Sequence, residues 1–450
     1  MRASRWLVLP LLACVGAAAA RVTDDQAARL GGELTPLGAE RAGNDEGSIP
    51  AWSGGLTVPP PCFGGAGARY CEPYPDDRPL FVITAANLTQ HEHRLSPGQI
   101  ALLRQFPDSY RMPVYATRRS FANPDFVYAA TLQNATRAEL KEEGLALLGA
   151  ATGVPFPIPE TGAEVIWNHR TRYRDQGVRR WNNQFAVNAS GDYGQIKLRE
   201  DVLYRYSQPG ATPASLDNVL YYFLQVTLQP QRLAGSVLLI HETLDGVREA
   251  RRVWQFNPGQ RRLRRAPNVG YDNPGIGADA LRTDDQSDGF NGPLDRYRWK
   301  LLGKRELIVP ANSYRLHSDT LRYVDILRKN HIDQDLTRYE LRRVWVVEAQ
   351  LRPATPHVYR RRVFYVDEDG WQIRVVDLYD AREKLWRVQE LHSVIAYDKP
   401  YELPVCETVY DLQHKRYLAQ ALNNEDPETV TLVRDVERFE PGAVSKFVRE

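Results

Sequence analysis

The sequence predicts an α+β fold dominated by β structure: one large curved antiparallel sheet, helices in or over its concave face, and an irregular N-terminal arm. Three observations carry this. Beyond Arg180, apolar positions recur at period two in segment after segment. Short connections rich in turn residues separate those segments, which joins neighbouring strands antiparallel. Tyr (23) and Trp (9) are abundant while Met (2) is nearly absent, a bias toward side chains that suit a pleated, half-buried surface.

The chain opens on a targeting segment. Arg2 and Arg5 precede an apolar run from Trp6 to Val15, and Ala18-Ala19-Ala20 offers small residues where a signal peptidase reads, so residues 1–20 read as a secretory signal cleaved after Ala20. Leu11-Leu12-Ala13-Cys14 loosely fits a lipoprotein box with Cys14 as the lipidated N-terminus, but Leu12 fits poorly and the signal left would be very short. The run is too short to span a bilayer, and no later stretch approaches the roughly 18 apolar residues a span needs.

Residues 21–80 read as an irregular Gly/Pro-rich arm, with Gly54-Gly55, Pro59-Pro60-Pro61 and one short helix near Asp24 to Leu34. Export permits disulfides, and Cys62 and Cys71 bracket a Gly-rich loop flexible enough to close, so a bridge is expected there. Cys406 is then odd and reads as buried. Residues 81–180 read as a helical segment packing on the sheet. Ser96-Pro97-Gly98-Gln99 and Thr161-Gly162-Ala163-Glu164 are capping boxes, and a further helix begins near Pro124.

Residues 181–450 read as the sheet with inserted helices, forming one structural unit with the segment from residue 80. Tyr222/Leu224/Val226/Leu228, Tyr297/Trp299/Leu301 and Trp345/Val347/Ala349/Leu351 alternate as strands. Asn257-Pro258-Gly259 and Asp367-Glu368-Asp369-Gly370 mark hairpin turns. Helices are expected from about Asp319 to Lys329 and from Tyr410 to Leu422.

Composition narrows function. The 450 residues are 43% apolar and 25% charged, an ordinary globular profile. Without Arg2 and Arg5 the chain carries 56 basic and 56 acidic residues, leaving no global field to attract nucleic acid. No G-x-S-x-G, H-E-x-x-H, phosphate-binding loop or paired C-x-x-C occurs, and neither a cofactor nor a metal is expected. Gly275-Ile276-Gly277 lacks a preceding strand and reads as a loop. Asp284, Asp288, Gly289 and Asp295 give a partial calcium-loop spacing, but Gln286 at the third position and Asp at the twelfth argue for a solvated acidic loop. His91 and His93 read as surface residues, and His169 as a hydrogen-bonded residue at the edge of the core. The clusters Arg261/Arg262/Arg264/Arg265 and Arg360/Arg361/Arg362 read as a wet sheet face, or as a rim for an anionic group at a cavity mouth.

Gly153-Val154-Pro155-Phe156-Pro157-Ile158-Pro159, followed by Gly162, Glu164 and Trp167-Asn168, resembles an exported Gram-negative family, domain-of-unknown-function family 1329. Leu37 to Asn44, Ile49 to Gly55, Pro73 to Asp77, Tyr110 to Tyr115, Arg264 to Asp272, Asp295 to Lys304 and Asp377 to Val388 match it as well. The family is described as similar to outer-membrane lipoprotein-sorting proteins. That likeness implies a half-barrel like that of the Lol carrier and receptor (LolA/LolB-like), which hold acyl chains, and a periplasmic location. It also implies company with large membrane exporters. The Cys62/Cys71 loop lies outside the strings that carry the resemblance, which leaves its role open.

The function expected is a non-enzymatic periplasmic carrier for a lipid or other hydrophobic molecule, serving an inner-membrane exporter or an outer-membrane protein. Phe156, Ile158 and Trp167 are expected to line or lid a concave cavity, with Asn168 beside them and Arg170 or Arg172 near its rim, because alternating prolines force a stiff path across the sheet mouth. Two alternatives are an envelope hydrolase using Glu164, Asp284 and Asp285, and an interaction subunit docking through the arm.

Overall fold

A computed structural model describes residues 22–266 and 271–444 of the chain, so the signal segment and Cys14 lie outside the described residues. The first strands are β1 (Phe81–Ile83), β2 (Met112–Tyr115) and the small hairpin β3 (Glu139–Lys141) and β4 (Ala146–Leu148). Next come β5 (Gly177–Val187), β6 (Tyr193–Leu203), β7 (Val219–Gln229), β8 (Val237–Thr243), β9 (Arg252–Asn257) and β10 (Arg262–Arg265). The remainder are β11 (Tyr297–Pro310), β12 (Tyr339–Leu351), β13 (Arg361–Asp367), β14 (Ile373–Tyr379), β15 (Leu385–Ala396), β16 (Tyr401–Asp411), β17 (Arg416–Leu422) and β18 (Val430–Thr431). All but β3 and β4 belong to one curved, unclosed sheet of 16 strands, ordered β1-β2-β12-β13-β14-β15-β16-β17-β5-β6-β7-β8-β9-β10. Strand β11 also pairs with β12, and β18 with β5. The pairing is antiparallel except where β2 meets the start of β12.

The α-helices among the described residues are α1 (Asp24–Ala27), α2 (Leu88–His91), α3 (Pro97–Gln105), α4 (Asp125–Arg137), α5 (Gly162–Thr171) and α6 (Tyr323–Ile326). Three sequence expectations need correction. The first helix stops at Ala27, because a succession of turns takes over. Only Tyr323–Ile326 is helical in the stretch 319–329. Residues 410–422 are not a helix: β16 ends at Asp411, whose Oδ1 accepts the amides of Gln413 and His414 (both 3.0 Å) in a turn leading into β17. The apolar residues there fit either period, and cross-strand pairing with β16 decides for the strand.

The sheet was expected to bury one face; its central strands bury two. In β14 Val376 and Leu378 enter one hydrophobic cluster while Val375 and Tyr379 enter another, so all seven residues are buried. Helix α5 packs on β11 and β12 and supplies Val165, Ile166 and Trp167 to the first cluster. Helix α3 packs on β14 and β15 and supplies Leu102 and Leu103 to the second. Alternation therefore sorts side chains between two interiors.

Helix α3 docks by its N-terminus. Ser96 caps it, with Gln99 completing the box. Asp377 Oδ1 accepts from Ser96 Oγ (3.0 Å) and Gly98 N (3.1 Å), and its Oδ2 accepts from Tyr365 (3.1 Å). A Cβ on Gly98 would lie 2.2 Å from that Oδ1, so only glycine fits. Beside it, buried Glu390 accepts from Gln99 Nε2 (3.2 Å), Tyr110 (3.0 Å) and Tyr339 (3.0 Å). Neither carboxyl has an ion-pair partner among the described residues. Burial pushes Asp377 up to about 7 despite its hydrogen bonds.

The arm carries a covalently closed loop that aromatic packing holds against the body. Cys62 and Cys71 form the expected disulfide, and inside that loop Phe63 and Tyr70 stack on each other and meet Tyr397 edge-on. Cys406 is fully buried, as expected.

Folded protein holds the Asp377 proton to about pH 7, whereas the unfolded chain releases it near 3.8. The folded state therefore binds more protons across that window, and this contribution, complete below about pH 4, is lost as pH rises through about 7. Asp377→Asn is expected to make the urea midpoint decline less between about pH 5 and about pH 8, by on the order of 2 kcal/mol of relative stability. An unchanged slope would show that the proton is not held there.

Candidate functional site

The residues singled out near position 160 come together around α5. Thr161 caps the helix and Glu164 completes the box. Asn168 ties the proline strap to the helix, its Oδ1 accepting from Phe156 N (2.9 Å) and its Nδ2 donating to Phe156 O (2.7 Å). Trp167 is 1% exposed and donates from Nε1 to Gly144 O (2.7 Å). Arg170 lies over the Trp167 ring at 4.1 Å and pairs with Glu242 (3.3 Å). Arg172 pairs with Asp288 (2.6 Å), which also takes Arg174 (2.7 Å). In this conformation Trp167, Asn168, Arg170 and Arg172 are interior. Phe156 and Ile158 are half-buried and border a pocket of about 20 Å³, room for about one water.

The acidic candidates are engaged elsewhere. Glu164 Oε2 accepts the amides of Glu160 (2.6 Å) and Thr161 (3.1 Å). Asp285 is buried against Arg362 (2.7 Å) and His357 (3.3 Å); burial alone would raise its pKa, but Arg362 and His357 hold it well below the usual range. Burial pushes Asp284 up to about 6. Glu164 and Asp284 share no partner among the described residues. In the calcium-like spacing Asp288 is bound by arginines and Asp295 is exposed.

The two arginine clusters part company. Arg261, Arg262, Arg264 and Arg265 are exposed on the β9–β10 hairpin. Arg362 is fully buried, so for that residue neither a wet face nor a rim holds. His91 stacks on Phe81 near the surface. His169 is fully buried between the carbonyls of Trp371 (3.1 Å) and Asp288 (2.7 Å), and burial pulls its pKa down to about 3.

A site that sequence reasoning missed lies where the arm crosses the β1–β2–β12 edge of the sheet. A cleft of about 890 Å³ opens there, within the size range of small-molecule sites. Tyr74, Pro75 and Pro79 of the arm, Val82 of β1, and Pro113 and Tyr115 of β2 supply its less polar surface. At its base Arg338 lies over Tyr115 (4.7 Å) and Tyr74 (5.5 Å), which orients both rings. Arg338 is itself fixed by Asp77 Oδ2 (2.7 Å) and Glu340 Oε1 (2.8 Å). Tyr74 also donates or accepts at Ser120 Oγ (2.9 Å) and is faced by Arg118 at 4.9 Å. Pro73-Tyr74-Pro75-Asp76-Asp77 was conspicuous as a string, but nothing local announced that it would face residues some 250 positions away.

Comparison with known proteins places the chain in a group. The family described as "Protein of unknown function (DUF1329)" matches residues 82–445. The uncharacterized protein PA3922 of Pseudomonas aeruginosa is 48% identical over 422 residues, covering 94% of this chain and 92% of the relative. A crystal structure of a DUF1329 family protein from Desulfovibrio piger aligns at 13% identity and a TM-score of 0.42, covering 63% of this chain and 97% of the other. A provisionally named outer membrane lipoprotein-sorting protein domain from Vibrio parahaemolyticus aligns at 14% identity and a TM-score of 0.43, covering 63% and 98%.

Truncating Trp167 separates a packing role from a ligand role at α5. Trp167→Ala removes a buried indole and its hydrogen bond to Gly144, and is expected to cost about 3–5 kcal/mol in denaturant unfolding. If it instead costs under about 1 kcal/mol while weakening hydrophobic-probe binding, the indole serves a ligand.

Proposed function

The chain belongs to the DUF1329 family, and we propose that it is a non-enzymatic envelope carrier that takes a lipid or similar hydrophobic molecule in the cleft between arm and sheet. The observation that carries this reading is the cleft itself: about 890 Å³, with aromatic and proline walls, held open by side chains that are already hydrogen-bonded. Rigid walls cost little ordering on binding, which favours a receptor for a small molecule. The engagement of Glu164 in a helix cap and of Asp285 in an ion pair supports binding over hydrolysis.

The signal-like first 20 residues and the Cys62–Cys71 disulfide support a periplasmic site of action. In that compartment a carrier would serve an inner-membrane exporter or an outer-membrane protein. The arm supplies one wall of the cleft, so its tethering by the disulfide loop bears on binding as well as on stability.

Titrating the mature protein with a fluorescent fatty acid is expected to give saturable 1:1 binding in the micromolar range. Val82→Trp, which places an indole in the cleft, should abolish it, and Tyr74→Ala should weaken it about tenfold with little change in melting temperature. Absence of saturable binding across fatty acids, phospholipids and neutral apolar probes would overturn the reading.

A further inference from the structure

The charges around the cleft do not cancel in pairs. Of the acids, Asp77 is occupied by Arg118 (2.6 Å) and Arg338 (2.7 Å), and Asp335 by Arg111. Glu72 stands in the wall with its carboxyl accepting, among the described residues, only the Tyr74 amide (2.9 Å), and burial raises its pKa. Two guanidinium groups are left over. Arg78 donates to the carbonyls of Pro75 (2.9 Å) and Asp77 (3.0 Å), and Arg315 to the Tyr115 hydroxyl (3.2 Å). Neither has a carboxylate within ion-pair distance among the described residues, and both are exposed to the cleft they line.

They come from separate segments, Arg78 from the arm and Arg315 from the loop after β11. A guanidinium presents a planar fork that matches a carboxylate or phosphate. The same cleft is lined by the rings of Tyr74 and Tyr115 and by prolines, which accept an apolar chain. We propose that the cleft selects an amphiphile with an anionic head, a carboxylate or a phosphate monoester, gripped by Arg315 and Arg78 while its tail lies along Tyr74, Tyr115 and Pro113. This rests on the carrier reading and adds the charge of the cargo.

Arg338 has a different task. Its charge is already met by Asp77 and Glu340, so it positions the two tyrosines and does not grip the head. Because Arg78 and Arg315 are exposed, their attraction for an anion is screened by salt.

The test compares probes that share one tail. Oleate, lysophosphatidate with an oleoyl chain, methyl oleate and inorganic phosphate are titrated against the mature protein near neutral pH. Oleate and lysophosphatidate are expected to bind at least tenfold more tightly than methyl oleate, with the advantage shrinking as salt rises. Arg315→Ala and Arg78→Ala should each cut oleate affinity about tenfold, leaving methyl oleate affinity and melting temperature unchanged. Equal binding of oleate and methyl oleate, insensitive to both variants, overturns the anionic head while the carrier reading stands. Displacement of oleate by inorganic phosphate alone at low millimolar concentration would assign the arginines to a free anion and overturn the amphiphile. Failure of every tailed probe to bind overturns the carrier reading itself.

Discussion

An acidic hairpin turn that never reaches water holds this structure together. Asp367, which ends β13, and Glu368 and Asp369 of the turn into β14 are all buried. Burying three carboxylates is tolerable only if each is matched, since an unpaired buried charge costs several kcal/mol. Asp367 takes Arg374 (2.7 Å), and Asp369 takes both Arg342 of β12 (3.1 Å) and Arg119 (2.5 Å). Glu368 takes Lys304 (2.7 Å) and Arg343 (3.3 Å). These cations reach onward to the arm: Arg119 donates to Glu40 O (2.8 Å) and Arg343 to Ala42 O (3.0 Å). The turn is thus the point at which arm, sheet and the crossing segment before α4 are locked to one another.

The same network runs out to the cleft. Arg342 pairs with Glu340 (3.3 Å), Glu340 with Arg338 (2.8 Å), and Arg338 with Asp77 (2.7 Å), so the cation between the cleft tyrosines is the outer end of a buried chain of ion pairs. Each link is stronger for being shielded from water, and breaking any one leaves a charge exposed to a low-dielectric interior. Such pairs contribute specificity of arrangement more than net stability. Here they hold Arg338 against the rings of Tyr74 and Tyr115 in the cleft wall.

The position of the cleft follows from the filling of the sheet. With α5 on one face and α3 on the other, the central strands have no free surface. Space remains at the β1–β2–β12 edge, where short strands and the arm cannot close against each other as a helix closes against a sheet. The ligand site proposed for the chain is therefore peripheral, built from four separate stretches of sequence, 72–84, 111–115, 312–315 and 335–338.

Local signals were readable from residues alone because their partners lie within a few positions. The boxes at Ser96 and Thr161 start helices where expected, the hairpins around residues 257–262 and 367–373 turn where Gly and Asp stand, and Cys62 and Cys71, nine apart, pair. Period-two alternation likewise declares strands, since each side chain's direction follows from its neighbours. Family-level resemblance came from the same kind of reading, through strings such as Gly153 to Asn168. Tertiary structure alone decided whether 410–422 would be helix or strand, because a cross-strand partner broke that tie. It alone decided that Arg362 and the 367–369 acids are interior, since the energy of a buried charge depends on its partners, and Asp285 for Arg362 and Arg119 for Asp369 lie 77 and 250 residues away. It alone assembled the cleft, whose walls meet only once the arm has been bound to the sheet by those charges.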